Sequence, residues 1–161
     1  MPLRGPNRQI TGLLAITRDI TELKSAEETR AQLAAIVETS NDAIVGRGLD
    51  DRILSWNAAA ERLFGYTACE AIGQSISMIF PPDRADEIAR NRTLLAQGKA
   101  ILDLETERLA KGGARIDVSL SQSPINDESG AMVGVALVFR DIRERKKAEE
   151  ALRRSEERYR G

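Results

Sequence analysis

The sequence contains no histidine and only one cysteine, Cys69. Without histidine, the chain lacks the commonest metal ligand and the side chain most often used as a general base near neutral pH. A single cysteine cannot form a disulfide within the chain, which suits a reducing compartment. We therefore expect a cytoplasmic protein that uses neither histidine-based catalysis nor internal disulfides.

The sequence also lacks an excess of charge of one sign and has no long apolar run. The formal net charge is −1 although 30% of the residues are charged, so no broad basic face for nucleic acid is expected. No apolar run approaches the roughly 18–20 residues that cross a bilayer, and no signal-peptide pattern opens the chain. We expect neither nucleic acid nor membrane as a partner of this segment.

Catalytic signatures are absent as well. The chain has no Gly-rich phosphate loop, no cluster of metal-ligand residues and no nucleophile elbow. Its acidic residues fall mostly at helix-surface or outward strand positions, where two carboxyl groups do not converge. We predict no catalytic residue and no metal site in this chain, although a longer parent protein could be an enzyme.

The most informative feature of the sequence is an internal repeat. RDITELKSAEE, from Arg18, returns as RDIRERKKAEE, from Arg140, at an offset of 122 residues that also relates Pro2 to Pro124. Residues 2–28 are thus a second copy of residues 124–150, and the repeated unit is a whole domain. We expect an excerpt from a tandem array, with tail strands of a preceding repeat (1–19), a linker helix (20–40), one complete domain (41–141) and a C-terminal linker helix (142–161).

Both copies join an apolar, β-branched run directly to a helix. Each junction carries an acid followed three residues later by glutamate, at Asp19 and Asp141, and this spacing resembles a capping box. A junction without slack passes a displacement of the strand into the helix. We predict Asp19, Arg140 and Asp141 as the signal junction, with simple helix capping by Asp141 as the alternative.

The two linker helices carry apolar residues at alternating spacings of three and four, the pattern of a coiled-coil seam. The seam runs through Leu23, Ala26, Arg30, Leu33 and Val37 in the first helix, and through Arg145, Ala148, Leu152, Ser155 and Tyr159 in the second. Polar members make each seam weak. We predict a homodimer through Leu23, Leu33, Val37, Leu152 and Tyr159, with a solvated single helix as the alternative.

The central segment predicts the order β-β-α-α-α-β-β-β, an α+β domain with a five-stranded antiparallel sheet. Asn57 and Thr67 are predicted to cap two short helices, and Asp83 to open a longer one that ends near Gly98. The turn AKGG joins two later strands, since its glycines permit positive φ.

Side-chain alternation predicts which faces of the sheet are buried. Ile116, Val118, Leu120 and Gln122 share one face of a strand, and Leu102, Leu104 and Thr106 share one face of its neighbour. The last strand, MVGVALVF, is apolar on both faces, with Val133, Val135, Leu137 and Phe139 on the same side. We therefore predict that a linker helix, from this chain or a partner, packs on its outer side.

The stretches ILSWNAAAERLFGYTACEAIGQ and GGARIDVSLSQSPI, together with the ending Asp19-Ile20-Thr21, resemble the PAS sensor domain. The resemblance covers about residues 30–142 in full and 2–20 in part; in the second copy the ending reads Asp141-Ile142-Arg143. It implies a curved sheet that, with the helices, encloses a pocket for a small molecule or cofactor. It also implies dimerisation, and coupling to an effector in the same polypeptide such as a histidine kinase or a diguanylate cyclase.

The resemblance places a pocket on the inner face of the sheet. The predicted lining is Trp56, Phe64, Ile79, Leu104, Ile116, Leu120 and Gln122. Gln122 is the polar side chain expected to point into it. Arg47 and Arg108 reach an anionic ligand in one interpretation, but a solvated surface position is favoured for both.

The cofactor is unknown, and two family cofactors are argued against. Histidine-ligated haem has no ligand here. Photoactive flavin domains of the family carry a reactive cysteine shortly after the glycine that matches Gly73. This chain has Ile76 at about that position. Its one cysteine, Cys69, lies earlier and is expected to be a packing or surface residue.

Two functions stay open. The chain is a sensory PAS module that responds to a small ligand and moves its C-terminal helix, or a ligand-free dimerisation and spacer module that relays signals arising elsewhere. An interior packed solid by Phe64, Ile79, Phe80 and Leu120 favours the second. The tail strands before Asp19 are expected to be disordered, to fold onto the edge of this sheet, or to pair with another chain, because their own sheet is missing.

Overall fold

The structure is a computed structural model that describes residues 23–160, with side chains to residue 159. The chain divides into two compact units, Met1–Val37 and Glu38–Gly161. The described part of the first unit belongs to helix α1, residues 23–39, which falls within the predicted linker. Residues 1–22, with the predicted tail strands and Asp19, lie outside the described residues.

The second unit is built on one antiparallel sheet. Its strands are β1 (Ala43–Gly48), β2 (Ile53–Trp56), β3 (Ile101–Leu109), β4 (Arg115–Asn126) and β5 (Met132–Asp141), and they lie in the order β2-β1-β5-β4-β3. The helices are α2 (Ala58–Phe64), α3 (Ala68–Ala71), α4 (Ala85–Ala96) and α5 (Arg143–Arg160), with 3-10 turns at Ile76–Ile79 and Pro82–Arg84. The predicted α+β class, element order and five-stranded antiparallel sheet are confirmed.

Two of the three predicted helix starts are confirmed. The Asn57 side chain accepts a hydrogen bond from the Ala60 amide at the start of α2, and Thr67 forms a complete capping box with Glu70 at the start of α3. Gly65 ends α2 in the left-handed conformation that glycine adopts without strain.

The predicted start of α4 at Asp83 is wrong, because α4 begins at Ala85. Pro81 and Pro82 restrict the backbone and lead into the 3-10 turn before α4. The Asp83 carboxylate instead accepts hydrogen bonds from the Arg115 guanidinium, at 2.8 and 3.2 Å. This contact ties the start of α4 to β4.

The core lies between the inner face of the sheet and the helices α2 to α4. The predicted inner residues of β4 are all buried, with Leu120 fully enclosed and Gln122 at 5% exposure. On the far side of the core, Phe64 packs edge-on against Phe139, with ring centroids 5.1 Å apart. Phe64, Ile79 and Leu120 are each 0% exposed, so this part of the interior is filled.

Alternation fails at two places where a strand is irregular. In β3 the register shifts between Ile101 and Leu104, and Asp103 has φ of 51°. The predicted inward position of Leu102 is therefore wrong, since its side chain is 72% exposed. In β5, Val133 is 46% exposed beside a second irregularity at Ile125/Asn126. A β-bulge changes which face later side chains occupy.

The outer side of β5 is half-buried at Ala136 and Val138, whereas the inner Val135, Leu137 and Phe139 are at most 1% exposed. The predicted covering of this outer face by a linker helix stays a prediction.

Candidate functional site

A small polar cavity lies between α4 and the inner face of the sheet. Its volume is about 10 Å³, which is room for about one water-sized group. It is lined by Arg47, Asp51, Phe80, Ile88, Asn91, Arg92, Arg108 and Gln122. Unlike the filled apolar core beside it, this cavity is surrounded mainly by charged and amide side chains.

Arg108 extends into the interior from β3 and is only 1% exposed. Its Nη2 donates to Glu87 Oε1 at 2.8 Å, and its Nη1 donates to the Glu107 carbonyl at 2.7 Å and to Thr106 Oγ1 at 3.2 Å. The guanidinium also lies 5.3 Å from the centre of the Phe80 ring. Burial lowers the pKa of Arg108, and the hydrogen bond that Arg108 donates to Glu87 opposes that shift.

Arg47 enters the cavity from β1, on the opposite side. Its Nη1 lies 2.9 Å from Asp51 Oδ1 and donates to the Gly48 carbonyl at 3.2 Å. Burial lowers the pKa of Arg47, and the Asp51 carboxylate raises it. Asp51 also forms an ion pair with Arg92 of α4, so this carboxylate bridges two guanidinium groups.

Two nitrogen atoms at this site have no hydrogen-bond partner among the described residues. They are Asn91 Nδ2 and Arg108 Nε, and both atoms are buried. Asn91 is 6% exposed, and Arg108 1%. Buried polar groups are normally paired with a hydrogen-bond partner. The nitrogen atoms of Asn91 and Arg108 therefore favour a hydrogen-bond acceptor at this site.

Of the predicted pocket residues, Gln122 lines this cavity. Leu104 is half-buried and packs against the buried hydrophobic cluster. The other five lie within that cluster: Trp56, Phe64, Ile79, Ile116 and Leu120. Trp56 Nε1 donates to the Tyr66 carbonyl at 3.0 Å. Contact of these residues with a ligand stays a prediction.

The surface positions favoured for Arg47 and Arg108 are wrong, and strand alternation contained the signal. Arg108 lies two and four residues after the inward Thr106 and Leu104, and Arg47 lies two residues after the inward Val45. Sequence reasoning also missed Glu87 and Asn91. Both lie on one face of α4, four residues apart, where polar residues gave no indication of burial.

At the strand–helix junction, β5 runs into α5 with only Ile142 between them. Ile142 is 2% exposed and its amide donates to the Asp117 carbonyl at 3.2 Å. Asp141 accepts the Arg143 amide at 3.0 Å, and the Arg143 guanidinium, which lowers the pKa of Asp141. The predicted pairing of Asp141 with Glu144 is wrong by one residue, because the arginine following Ile142 supplies both an amide and a guanidinium.

The first turns of α5 are also attached to the outer face of the sheet. Arg145 forms an ion pair with Glu105 of β3, and Lys146 Nζ lies 3.6 Å from Asp117 Oδ1 of β4. Arg140, on β5, pairs with Asp42 at 3.2 Å. The residues at the junction of β5 and α5 thus contact two further strands, β3 and β4, and the segment before β1.

The residues predicted for a dimer seam lie on α1 and α5. Leu23 is 63% exposed, Leu33 58%, Leu152 62% and Tyr159 92%, whereas Val37 is half-buried. Their pairing across two copies of the chain stays a prediction.

Neither family cofactor fits the residues of the cavity. A flavin or haem needs a pocket of several hundred Å³, far more than the 10 Å³ present. Cys69 is exposed and does not line it. Residues 23–160 contain no group of three or more metal-ligand side chains that could hold an ion. In the same part of the chain, no helix has the length and apolar character needed to cross a membrane.

Comparisons with known proteins agree with this architecture. The chain is 27% identical over 158 residues to the signal transduction histidine-protein kinase AtoS of Escherichia coli, covering 97% of this chain and 25% of that protein. It is 30% identical over 125 residues to the sensor histidine kinase TmoS of Ectopseudomonas mendocina, covering 77% and 13%. The chain therefore spans a quarter or less of the length of these curated relatives.

Among solved structures, a PAS domain from Colwellia psychrerythraea aligns with a TM-score of 0.65 at 30% identity, covering 72% of this chain and 98% of that one. An RNA-binding light-oxygen-voltage receptor aligns with a TM-score of 0.68 at 20% identity, covering 80% and 37%, a likeness of fold alone. The family model for the PAS fold matches residues 31–142. With most of the chain matched by that model, and with its sheet order and helices in agreement, the protein belongs to the PAS family.

Proposed function

We propose that this chain is a ligand-responsive sensory module that converts an event in its interior cavity into a movement of α5. The PAS family and the sensor-kinase relatives support a signal-transduction role. The ligand-responsive step and the direction of transmission are our own addition. In a longer parent, α5 would lead to an effector domain such as a histidine kinase or a diguanylate cyclase.

The observation that carries this proposal is the attachment of α5 to the sheet. Gln122 lines the cavity and pairs across β4–β5 with Leu137. Four residues later in β5 comes Asp141, which holds the first amide of α5. A shift of β5 at the cavity therefore reaches the helix through a short, hydrogen-bonded segment with a buried residue, Ile142, in it.

A second candidate is a ligand-free spacer that dimerises and relays signals from neighbouring domains. The filled core around Phe64, Ile79 and Leu120, each 0% exposed, and the cavity of about 10 Å³ favour it. In both candidates the module acts in the cytoplasm and as a homodimer through α1 and α5. In neither does it catalyse a reaction itself.

A coupling experiment separates the two candidates. The whole chain replaces the matching segment of AtoS, and autophosphorylation of the chimera is measured with and without Gln122→Leu, a cavity change of similar side-chain size. Each protein is also made with two glycines inserted after Ile142. If the cavity drives α5, Gln122→Leu changes kinase activity only when the junction is intact, because the insertion breaks the connection.

The control insertion lies in the β4–β5 turn after Ser129, where Asp127 accepts amides of its own turn. It should leave the effect of Gln122→Leu in place. If Gln122→Leu has no effect on kinase activity in the uninterrupted chimera, while its unfolding temperature shows that it is folded, the spacer function holds instead.

A further inference from the structure

We propose that a second copy of this chain docks head to tail in the junction groove, a surface groove between α2 and the junction of β5 with α5. The segment that docks is the tip of the β1–β2 turn, Leu49 and Asp50. The contact goes beyond the sensory function proposed above and needs no ligand. It is supported by the size and charge of the groove, by the exposed tip, and by the position of the two in the sheet.

The junction groove is large enough for a side chain from outside. Its volume is about 250 Å³, far above the roughly 10–15 Å³ that holds one water. Leu63 is half-buried there, and the other apolar lining residues are at most 4% exposed. The apolar part of the lining consists of Ala43, Ala59, Leu63 and Phe139. An apolar side chain that entered the groove would therefore lose contact with water, which is favourable.

Arg62 gives the junction groove a positive charge. This residue of α2 lines the groove and is exposed, and it forms no ion pair with any of residues 23–160. The other charged lining residues, Asp141 and Arg143, pair with each other at 2.7 Å. A docking segment that brings a carboxylate to Arg62 therefore complements the groove.

The tip of the β1–β2 turn carries an apolar and an acidic side chain next to each other. Leu49 is 58% exposed, and the side chain of Asp50 is 66% exposed. Asp50 Oδ1 accepts the Arg52 amide at 3.2 Å, and Oδ2 lies 3.8 Å from Arg52 Nε in an exposed pair. Such a pair contributes little, so Asp50 is available to Arg62 of another copy while Leu49 enters the groove.

The tip cannot reach the groove of its own chain, because the two lie at opposite ends of the same strands. Ala43 pairs with Phe139 at the groove, whereas Gly48, just before the tip, pairs with Gly134 at the other end. From Ala43 to Gly48 the strand rises about 17 Å. Two different surfaces meet in this contact, so the copies line up along the strand direction and the assembly can grow.

The contact joins functional elements of neighbouring copies. In the copy that supplies the groove, Asp141 and Arg143 hold the start of α5. In the copy that supplies the tip, Asp51 follows directly and bridges Arg47 and Arg92 at the interior cavity. Docking therefore places the cavity side of one copy against the α5 attachment of the next.

Two charge reversals test the contact in the whole chain. All proteins carry Leu33→Glu and Leu152→Glu, so that the predicted seam between linker helices does not contribute. Asp50→Arg alone and Arg62→Asp alone should each weaken self-association in sedimentation experiments by roughly tenfold or more, because like charges then meet. An equimolar mixture of the two should associate again, since every tip then finds a groove of opposite charge.

A second pair of variants tests the apolar part of the contact. Leu49→Asn should also weaken self-association, whereas Leu102→Asn, on β3 and 72% exposed, should associate as its background does. In the charge-reversal mixture, an isotope-labelled chain should show nuclear magnetic resonance shift changes at Leu63 and Arg143 of the groove and at Leu49 of the tip. The unfolding temperature of each variant shows that it is folded.

Several results would overturn the inference. They are a background protein that does not self-associate at any concentration, a mixture that associates no better than its separate components, and equal effects of Leu49→Asn and Leu102→Asn. Shift changes at the groove without changes at the tip would assign the groove to another segment of the second copy. The sensory function is tested separately by the kinase chimera, so either proposal can fail without the other.

Discussion

At the scale of single residues, the Arg108–Glu87 pair is the buried ion pair of the interior in which each charge most needs its partner. The guanidinium is 1% exposed and bound by a carboxylate, a hydroxyl and a carbonyl. Buried ion pairs contribute little net stability, but the loss of one partner leaves the other charge without compensation. Arg108 thus fixes the position of α4 against β3 more than it strengthens the fold.

The first prediction follows from that asymmetry. Arg108→Met leaves Glu87 charged and buried, and should lower the free energy of unfolding by about 3–5 kcal/mol. The double variant Arg108→Met with Glu87→Leu should recover most of this loss, because no buried charge is left. Urea unfolding measures both, with Arg154→Met, which removes an exposed pair with Glu150 on α5, as the control expected to change little. Equal stability of the single and double variants would contradict the argument.

For single residues, the sequence predicted which side chains point inward better than it predicted their ion-pair partners. The alternation of β4 identified Gln122 as inward-pointing, and the same rule applied to β1 and β3 would have placed Arg47 and Arg108 inside. The charge of an isolated arginine favours an exposed position, whereas strand alternation favours a buried one. Of the partners that make burial acceptable, Asp51 lies in a turn only four residues after Arg47, whereas Glu87 lies on α4, 21 residues before Arg108. Only the folded chain brings Glu87 and Arg108 together.

At the scale of elements, the backbones of β1 and β5 approach each other closely at Gly134. A Cβ added to Gly134 would lie 2.6 Å from the Arg47 carbonyl oxygen, a distance that real Cβ atoms essentially never show. The internal repeat places glycine at the matching position, Gly12. The close approach therefore explains a glycine that turn chemistry does not require.

The second prediction uses two glycines with the same clash distance. Gly134→Ala should reduce the free energy of unfolding by about 1–3 kcal/mol, the usual cost of overpacking, because the obstructing atom belongs to the backbone of β1. Gly46→Ala meets Ser55 Oγ, also at 2.6 Å, but that hydroxyl can rotate away. Thermal or urea unfolding should therefore show the larger loss for Gly134→Ala. A larger loss for Gly46→Ala would contradict this account of the β1–β5 contact.

The third prediction concerns the start of α5 and its pH dependence. Hydrogen bonds from Arg143 lower the pKa of Asp141 from its ordinary 3.8. A lowered pKa in the folded state means that this carboxylate stabilises the junction above pH 3.8, and the contribution is lost as the pH falls through the lowered value. The protection factors of the amides at Ile142–Lys146, which correct exchange for its intrinsic slowing in acid, should therefore fall in that acid range.

Asp141→Asn should remove this acid-dependent change, since the amide does not titrate, and should lower the protection factors at neutral pH to those of the acid form. Glu156→Gln, on the exposed far end of α5, is the control and should leave the profile of the junction unchanged. An acid profile that persists in Asp141→Asn would assign the change to another carboxylate.

At the scale of the whole molecule, the exposed surface of α5 is predicted to pair with a second copy of the chain. α5 carries charge on most of its surface and has two large apolar exposed residues, Leu152 and Tyr159. A helix of this kind gains most of its stability from packing rather than from propensity. The sheet attachment fixes its first turns, so its later turns are the part available for pairing.

The fold of the module could be predicted from the sequence because turns, caps and alternation are local signals. Asn57, Thr67 and the AKGG turn each determine the backbone within a few residues. The bulge at Asp103 could not be predicted, since it arises from pairing with β4 across the hairpin. The sequence pattern likewise predicts a coiled-coil seam but contains no direct measure of the affinity between two copies.

The fourth prediction tests that affinity with residues whose replacement cannot disturb the core. Leu33 and Leu152 are 58% and 62% exposed, so Leu33→Glu combined with Leu152→Glu should leave the unfolding temperature nearly unchanged. If the two helices form a seam between copies, sedimentation equilibrium of the whole chain should show a concentration-dependent dimer that the double variant weakens by at least tenfold, because charges replace apolar seam positions. Leu102 lies on β3 and is 72% exposed, so Leu102→Glu should dimerise as the unchanged chain does. A chain that stays monomeric at all concentrations would contradict a dimer through the linker helices. A dimer that Leu102→Glu abolishes and the seam variant keeps would contradict it as well.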